Sequence, residues 1–488
     1  MGKNDSKEVS DFTKELALAE AGDSKSMIGV AHRYYYGIGV NIDKNESFAW
    51  YKKAVSIGNA DGLWSLARLF YLSGVVVTKD PAEGERLLQE AFGIYLKQAN
   101  QGDAYSQNAV GNMLSSGEGV TKSYEQALEW YRLGASNGNI WSMHSLAEAF
   151  LYGRGVVPDY DLAIEWFARF AEKAGPDECY RLDRVASSFR WGWDGVLVDY
   201  ERSMKLVRIG VSYGGASCYA TLGNYLHEGI ATQKDDAGAL ECWRKAASLG
   251  DPMALMTLGD VYGAGLLVEK DTRIATRYYM QAAELNPWFR SKISLKLYRL
   301  DDFNSRFEAK KILEDILKVK PDGYWERSKM DPFSFLGLAE LLMKECIPPQ
   351  PELAIRCYEK IIEISTNHAP IAWRSLGLMY LDGVGVPRDY SESVKCFTKA
   401  AMLGDSDACR ELGFAYYLAR GVGLDYTEAY AWWNIARSLG DKKSEEELSS
   451  VEVKMTKSQI NDAQARSTFL HNSILVYRDE AKRKNLSD

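Results

Sequence analysis

Residues 372–389 read AWRSLGLMYLDGVGVPRD, and residues 408–425 read ACRELGFAYYLARGVGLD. The two stretches begin 36 positions apart and share an alanine, a Leu-Gly pair, a tyrosine, a Gly-Val pair and a final aspartate. The position of the glycine in this Leu-Gly pair recurs along the whole chain and holds either glycine or alanine. Five of the distances between successive occurrences are 36 or 37 residues. The position falls at Ala31, Ala67, Gly111, Ala147, Ala186, Gly223, Gly259, Gly337, Gly377 and Gly413. A period of this length predicts a stack of similar helical units.

Each unit is predicted to contain two helices, because its apolar residues follow one another at offsets of three and four and form one stripe. Adjacent large residues recur in the second helix, and these pairs are predicted to form the core. They are Trp50 and Tyr51, Trp130 and Tyr131, Trp166 and Phe167, Tyr278 and Tyr279, and Trp432 and Trp433. The sequence therefore predicts an all-α solenoid of about ten helix-turn-helix repeats.

Glycine and acidic residues mark the predicted helix ends. A glycine closes the second helix at Gly58, Gly138, Gly250, Gly404 and Gly440, where a left-handed residue suits the last turn. Asparagine or aspartate follows each of these glycines and is suited to cap the next helix. Asp43, Asp80, Asp389 and Asp425 each precede a glutamate by three positions, which predicts that they start the second helices.

These residues resemble the Sel-one-like repeat family, a relative of the tetratricopeptide repeat with a longer, Gly-rich turn between its helices. The resemblance covers roughly residues 23–441. It implies a right-handed superhelix with a concave inner face that is used for binding and scaffolding. The stretches EAYAWWNIARSLG (428–440) and KMTKSQINDAQ (454–464) resemble the closing repeat and cap of bacterial members, so we expect a bacterial source.

The expected organisation has five parts. A capping helix occupies 1–22, and repeats occupy 23–287 with a degenerate unit near 177–215. An irregular tetratricopeptide-like unit follows at 288–330, where 309–321 is predicted to be a helix ending in Pro321. Further repeats occupy 331–441, and capping helices occupy 442–488. The step of 44 residues from Ala67 to Gly111 predicts a longer or bent second helix between them.

The degenerate unit carries Trp191 and Trp193 around a Gly-rich turn. Three interpretations stay open for this stretch: a drifted or hinge-like unit, a feature specific to a partner, and aromatic rings packed beneath the turn.

Composition excludes several classes of protein. The 488 residues carry 59 Lys and Arg against 67 Asp and Glu, a formal charge of −8 without a basic stripe, so no nucleic acid is expected as a partner. No apolar run is long enough for a membrane span, and residues 1–10 lack the apolar core of a secretory signal. Seven cysteines occur without a Cys-x-x-Cys spacing, which favours a reducing compartment. We expect a cytoplasmic protein.

No catalytic motif is found, and the five histidines lie in different units. The sequence therefore predicts neither an enzyme, nor a cofactor, nor a metal site. Cys242, Cys357 and Cys396 occupy the first position of the aromatic pair and are predicted to be buried apolar side chains. A hydrolase or a peptidoglycan-acting enzyme is the alternative of another class, and it would require convergent acid and base groups.

The resemblance also implies candidate binding residues, because first helices face inward in tetratricopeptide relatives and ligand contacts flank the Leu-Gly positions. Transferring these flanking positions, here called the transferred register, to this chain selects Trp64, Arg68, Tyr105, Asn108, Asn112, Trp141, His144, Glu148, Asn224, His227, Met256 and Asp260. Aromatic residues among amides suit a protein surface, whereas the Lys and Arg of carboxylate clamps are missing. Packing between repeats is the alternative for each residue.

The partner is expected to be a protein held in the groove, with this chain acting as an adaptor or regulator. A narrower hypothesis, from family analogy alone, is an immunity protein that neutralises an interbacterial toxin, and a secretion-related partner is a further possibility. The sequence predicts no oligomeric state.

Overall fold

The computed structural model describes residues 3–300, 302–318, 330–344 and 349–487. Throughout these ranges the regular structure is helical and no strand occurs, which confirms the predicted all-α solenoid. The chain divides into two compact units, Met1–Leu249 and Gly250–Asp488.

The first unit is built from helix pairs, in which each second helix packs on the first helix of its own repeat; α3, α5, α7 and α11 also pack on the first helix of the next repeat. Helix α1 precedes the pairs and packs on α2. The helices are α1 (Lys3–Glu20), α2 (Ser24–Tyr36), α3 (Lys44–Ser56), α4 (Ala60–Leu66), α5 (Pro81–Asn100), α6 (Ala104–Ser116), α7 (Tyr124–Ser136), α8 (Ile140–Tyr152), α9 (Tyr160–Ala174), α10 (Tyr180–Trp191), α11 (Tyr200–Ser212), α12 (Ala216–Glu228) and α13 (Asp236–Ser248).

The second unit repeats this arrangement. Its helices are α14 (Pro252–Ala264), α15 (Thr272–Leu285), α16 (Arg290–Arg299), α17 (Phe303–Lys318), α18 (Pro332–Lys344), α19 (Pro351–Ile364), α20 (Ala369–Asp382), α21 (Tyr390–Met402), α22 (Ser406–Tyr417), α23 (Tyr426–Ser438), α24 (Ser444–Glu452) and α25 (Lys457–Ser487). The long helix α25 packs along α23 and reaches α21, so it covers the apolar face that the last repeat would otherwise expose.

The predicted helix ends are confirmed. The five glycines after second helices all have positive φ, from 77° at Gly58 to 103° at Gly440. Asn139 is typical of the caps that follow, since its Oδ1 accepts the Ser142 amide at 2.8 Å. Asp43, Asp80, Asp389 and Asp425 each accept backbone amides of the first turn of α3, α5, α21 and α23. Short-range hydrogen bonding therefore fixes where the helices begin and end.

The small residue of the Leu-Gly pair is required by close packing between the two helices of a repeat. A Cβ built on Gly377 would lie 2.6 Å from Cε1 of Phe397, and one built on Gly111 would lie 2.5 Å from Cε1 of Tyr131. Gly223 meets Trp243 and Gly259 meets Tyr279 at the same sequence separation. The first helix thus approaches the second aromatic residue of the pair too closely for a larger side chain.

The prediction that both members of each aromatic pair form the core is only half right. The second members are buried in every pair, and of the first members Trp50 and Trp432 are buried as well. Trp130, Trp166 and Tyr278, in contrast, are only partly buried. Their position lies at the edge of the helix stripe, where the indole of Trp166 is covered by the Arg169 guanidinium at 4.5 Å. Among the predicted apolar cysteines, Cys357 and Cys396 are buried and Cys242 is partly buried.

Two of the predicted irregularities have a structural form. Helix α5 is 20 residues long, against 13 for most second helices, and α4 ends in a π-helical turn at Ala67–Tyr71. Between α10 and α11 the chain makes a 3-10 turn, Trp193–Gly195, in which Asp194 has a φ of 57°. Helix α17 covers the helical stretch predicted to end at Pro321, which itself lies outside the described residues.

Candidate functional site

A groove in the first unit runs across three neighbouring first helices, α2, α4 and α6. Its volume is about 540 Å³, and side chains of α3 and α5 form part of its floor. Five of the predicted binding residues border it, namely Trp64, Arg68, Tyr105, Asn108 and Asn112. An adjoining cavity of about 800 Å³ shares Ile28, Asp61, Tyr95 and Tyr105 with the groove, so the two form an elongated depression.

One wall of the groove is a cluster of Trp64, Arg68 and Glu118. The indole Nε1 of Trp64 donates to Glu118 Oε2 at 2.8 Å, and Arg68 Nε lies 3.5 Å from the other carboxylate oxygen. The Arg68 guanidinium also lies 4.8 Å from the centre of the Trp64 ring. These contacts fix the orientation of the Trp64 indole at the edge of the groove, because Arg68 and Glu118 each contact the indole and also pair with each other.

Glu118 reaches this wall because the turn after α6 is held tightly on α5. Gly117 closes α6 with a φ of 81°, and Gly119 has a φ of 66°. A Cβ on Gly119 would lie 2.4 Å from the Leu88 carbonyl carbon, so only glycine lets the turn come this close. The Gly-x-Gly turn of the repeat therefore places a carboxylate in the site.

The opposite part of the groove is organised by Asp61, the second residue of α4. The phenols of Tyr95 on α5 and Tyr105 on α6 both donate to Asp61 Oδ1, the latter at 2.7 Å. Burial and the negative charge of Asp61 raise the pKa of both tyrosines, so both stay neutral donors. Tyr95 is buried, whereas Tyr105 is 52% exposed and offers a rigid ring to a ligand.

Asn108 and Asn112 differ in how accessible their side chains are to a ligand. Asn108 is buried, and its Oδ1 accepts the Ser142 hydroxyl of α8 at 3.3 Å. Asn112 is exposed and accepts the Tyr131 phenol at 3.0 Å. Packing between repeats, the alternative raised from the sequence, is therefore the main role of Asn108, while Asn112 remains accessible.

Trp141, His144 and Glu148 on α8 lie outside the groove. The Trp141 ring centre lies 5.9 Å from that of Phe170, and His144 packs against the Phe170 ring at 5.2 Å. Burial lowers the pKa of the His144 imidazole. Glu148 lines a separate small cavity of about 160 Å³ together with Asn112.

Asn224 and His227 lie on α12 and are engaged with α13. Asn224 Oδ1 accepts the Trp243 indole at 3.0 Å, and His227 Nδ1 lies 2.6 Å from Asp236 Oδ1. The hydrogen bond from His227 lowers the pKa of the Asp236 carboxyl. Both predicted residues thus help to join the two helices of their repeat.

Met256 and Asp260 belong to the second unit. Met256 is 3% exposed, and its side chain is part of the core around α14, so it does not line a surface that a partner could reach in this structure. Asp260 Oδ1 accepts the Tyr279 phenol at 2.6 Å, and Lys296 Nζ lies 2.5 Å from the same oxygen. The carboxylate is therefore already paired.

Several groove residues were not found from the sequence. Asp61 lies in the first turn of α4, Tyr95 lies on the second helix α5, and Glu118 lies in the turn after α6. The positions selected from the sequence all lie near the Leu-Gly pair of a first helix, so they do not include these three residues. Two sequence signals could have indicated the carboxylates of Asp61 and Glu118. Asp61 follows the helix cap Asn59 by two residues, and Glu118 is the charged residue between the two glycines of a Gly-x-Gly turn.

The exposed aromatic residues of the degenerate unit form a second notable surface. Trp191 and Trp193 are 56% and 55% exposed, so the interpretation that they pack beneath the turn is wrong. The Arg190 guanidinium covers one face of Trp191, 4.6 Å from the ring centre. The remaining apolar area faces solvent.

The described residues contain no group of three or more His, Cys, Asp or Glu side chains placed to hold a metal ion. In the same ranges, no helix combines the length and the apolar character that crossing a bilayer demands.

Comparison with known proteins identifies the repeat. The profile of the Sel1 repeat matches nine segments, which together cover more than half of the chain. They are residues 24–59, 60–92, 104–139, 142–174, 216–251, 252–287, 336–363, 374–405 and 406–441. The unmatched stretches include the predicted degenerate unit near 177–215 and the irregular unit at 288–330. No curated protein matches the chain.

Among solved structures, the chain is similar to c5321, which is described as a protective antigen present in uropathogenic Escherichia coli strains displaying an SLR fold. The two chains are 22% identical, the match covers 97% of each chain, and the TM-score is 0.42. A Sel1 repeat protein from Oxalobacter formigenes is 22% identical over 74% of this chain and 89% of that one, with a TM-score of 0.43. From its repeated Leu-Gly register and its nine matched segments, the chain belongs to the Sel1 repeat family, whose solenoids are typically scaffolds for protein interaction.

Proposed function

We propose that this chain is a non-catalytic scaffold of bacterial origin that binds a segment of a protein partner in the groove across α2, α4 and α6. The observation that carries the proposal is the convergence of Trp64, Arg68, Tyr105 and Asn112 on one elongated depression. Rigid aromatic side chains lose little freedom on binding and supply much of the affinity of protein interfaces.

The shape of the groove favours an extended protein segment over a compact small molecule. The groove and its adjoining cavity, about 540 and 800 Å³, run together past Asp61 and Tyr105. Polar groups are spaced along this length, with the Glu118 and Arg68 pair at one wall and the Asp61 carboxylate at another. Such a series of separate polar contacts suits a chain that passes over several repeats.

The test is co-purification from the native cell with the groove altered and a matched control. A Trp64→Ala, Tyr105→Ala double variant removes two rings that line the groove, the exposed Tyr105 and the partly buried Trp64. Tyr477→Ala on α25 is the control, because Tyr477 is 44% exposed, similar to Tyr105, and lies in the other unit. We expect one stoichiometric protein with the wild type and the control, and its loss with the groove variant.

The identity of that protein then assigns the narrower role. A toxin whose activity is blocked by the purified chain would make this an immunity protein, and a secretion component or enzyme would make it an adaptor. A partner retained by the groove variant would overturn the proposed site. A panel of hydrolase substrates, including peptidoglycan, tests the enzymatic alternative, which turnover lost in a His144→Ala, Glu148→Ala variant would favour.

The proposal includes a cytoplasmic location. It is supported by the cysteines of the described ranges, which are all unpaired thiols and are buried apart from the half-buried Cys242. Fractionation of native cells with an antibody against the chain tests the location. Recovery in an extracellular or periplasmic fraction would contradict it.

A further inference from the structure

The Asp61 carboxylate is held in a fixed position without a cationic partner. Tyr95 and Tyr105 both donate to its Oδ1, from two different helices. Among the described residues, no nitrogen of Lys, Arg or His comes within 4.0 Å of it, although Glu118 across the same groove pairs with Arg68. Two phenol donors stabilise the charge but do not neutralise it, so Asp61 presents a full negative charge to the groove.

The charges around this carboxylate leave the depression slightly acidic. The groove and its adjoining cavity contain three carboxylates, Asp61, Asp103 and Glu118, against the two cations Lys25 and Arg68. His32 adds no positive charge at neutral pH, because burial lowers the pKa of its imidazole. A ligand that brings one positive charge would balance the site.

The walls near Asp61 are aromatic. The exposed Tyr105 and the partly buried Trp64 line the groove together with the buried Tyr51 and Tyr95, and the rings of Tyr95 and Tyr105 meet edge to face with centres 6.4 Å apart. Aromatic faces attract cations through their quadrupole, and the attraction grows when water is partly excluded. A carboxylate fixed among such rings selects a cation on an apolar stem over a neutral or anionic group.

We propose that the groove recognises a lysine or arginine side chain of the partner, seated against the rings of Tyr105 and Trp64 with its charged head on Asp61. The proposal rests on the protein-binding function proposed above and names the chemistry of the bound segment. The methylene stem of the lysine or arginine lies along the rings while its head pairs with the carboxylate.

The test is a selection of linear peptides on the full-length chain. A phage-displayed library of random dodecapeptides is selected in parallel on the wild type, on Asp61→Asn and on Glu85→Gln. The asparagine keeps an acceptor for the two phenols and removes only the charge. Glu85 is exposed on α5 outside the groove, so its variant loses the same charge elsewhere. We expect a fixed Lys or Arg position among peptides selected on wild type and Glu85→Gln, and its loss on Asp61→Asn.

A direct measurement follows with a synthetic peptide of the selected sequence, labelled for fluorescence anisotropy. Replacing its basic residue by norleucine is expected to lower the affinity about tenfold, as is Asp61→Asn, and the two changes together are expected to do little more. If Asp61→Asn fails to fold, as judged by its thermal melt, the norleucine peptide alone carries the test.

The outcomes separate this inference from the function on which it rests. Selected peptides that depend on Trp64 and Tyr105 but show no basic position would leave the protein-binding function standing and overturn the assignment of a cation. A basic position that persists on Asp61→Asn would also overturn the assignment. If the wild type selects no peptide, both the groove function and the cation assignment fail.

Discussion

Gly413 lies directly against the indole of Trp433: a Cβ built on this glycine would come within 2.3 Å of Trp433 Nε1. The same indole donates to the Arg410 carbonyl at 3.1 Å, one turn earlier on α22. The glycine of the first helix and the aromatic residue of the second helix are thus one packing unit. Their separation along the chain recurs in several repeats, which explains why the small residue is the best marker of the period.

Replacing Gly413 by alanine should therefore destabilise the second unit. The added methyl group must push the buried indole away, and overpacking of this kind typically costs about 1–3 kcal/mol. Gly423→Ala is the matched control, because a Cβ there meets nothing within 4 Å. Urea denaturation followed by tryptophan fluorescence compares the two variants. Equal midpoints for both would contradict the packing relationship.

Phe167 and Trp166, the aromatic pair of α9, differ in burial and should therefore differ in their contribution to stability. Phe167 is fully buried, so Phe167→Ala should lower the free energy of unfolding by about 3–5 kcal/mol. Trp166 is only partly buried beneath Arg169, and Trp166→Ala should cost clearly less although it removes the larger side chain. Thermal and urea denaturation of the two variants measure the difference. A larger loss for Trp166→Ala would reverse the assignment of the core position.

The aspartate caps contribute to stability through backbone hydrogen bonds. Asp389 Oδ1 accepts the amides of Ser391 at 2.9 Å and Glu392 at 3.0 Å at the start of α21. Asp389→Ala should cost about 1 kcal/mol, whereas Asp389→Asn should be nearly neutral because asparagine caps equally well. Denaturation midpoints test both variants, and an equal loss for Asn and Ala would show that the charge, not the cap, matters.

The partly buried imidazole of His144 should make stability depend on pH. Its burial against Phe167 and Phe170 lowers its pKa below the ordinary value of 6.5. The unfolded chain then binds a proton that the folded chain does not, so the contribution of His144 falls as the pH drops below about 6.5. His144→Gln should flatten the dependence of the melting temperature between about pH 7.5 and 5. Proton NMR titration of the imidazole gives the pKa directly, and a value above 6.5 would contradict the burial argument.

The exposed tryptophans of the degenerate unit should matter little for folding. Trp191 and Trp193 are each more than half exposed, so the Trp191→Ala, Trp193→Ala variant should lose no more than about 1 kcal/mol of stability. A change in partner capture by this variant, with the melting temperature unchanged, would identify a second contact surface. A large loss of stability would show that the two rings pack in solution.

Much of the fold could be predicted from the sequence because its determinants are local. The Asp389 cap, the Gly440 helix end and the apolar spacing of three and four each depend on a few consecutive residues. Repetition of these signals then reveals the solenoid. Burial within the aromatic pairs was less predictable, since Trp130 and Tyr131 differ only in how the neighbouring helices cover them.

The candidate site divides in the same way. The transferred register selects Trp64 and Tyr105, which line the groove, but it also selects Met256, which is buried in the core. The binding role of the groove residues stays a prediction until a partner is tested. Positions that are equivalent in the repeat are not equivalent in exposure, because each repeat is covered by different neighbours.

The sequence by itself thus determined the helices, their caps and the order of the repeats, since backbone hydrogen bonding and helical periodicity act over a few residues. Only the tertiary structure decided that Tyr95 and Tyr105 meet on Asp61, and that Glu118 reaches Trp64 from a turn 54 residues away along the chain. The contacts of Tyr105 with Asp61 and of Glu118 with Trp64 join neighbouring repeats, whereas Tyr95 and Asp61 lie on the two helices of one repeat. The geometry of all three contacts depends on how closely neighbouring helices approach one another, which no local pattern of residues specifies.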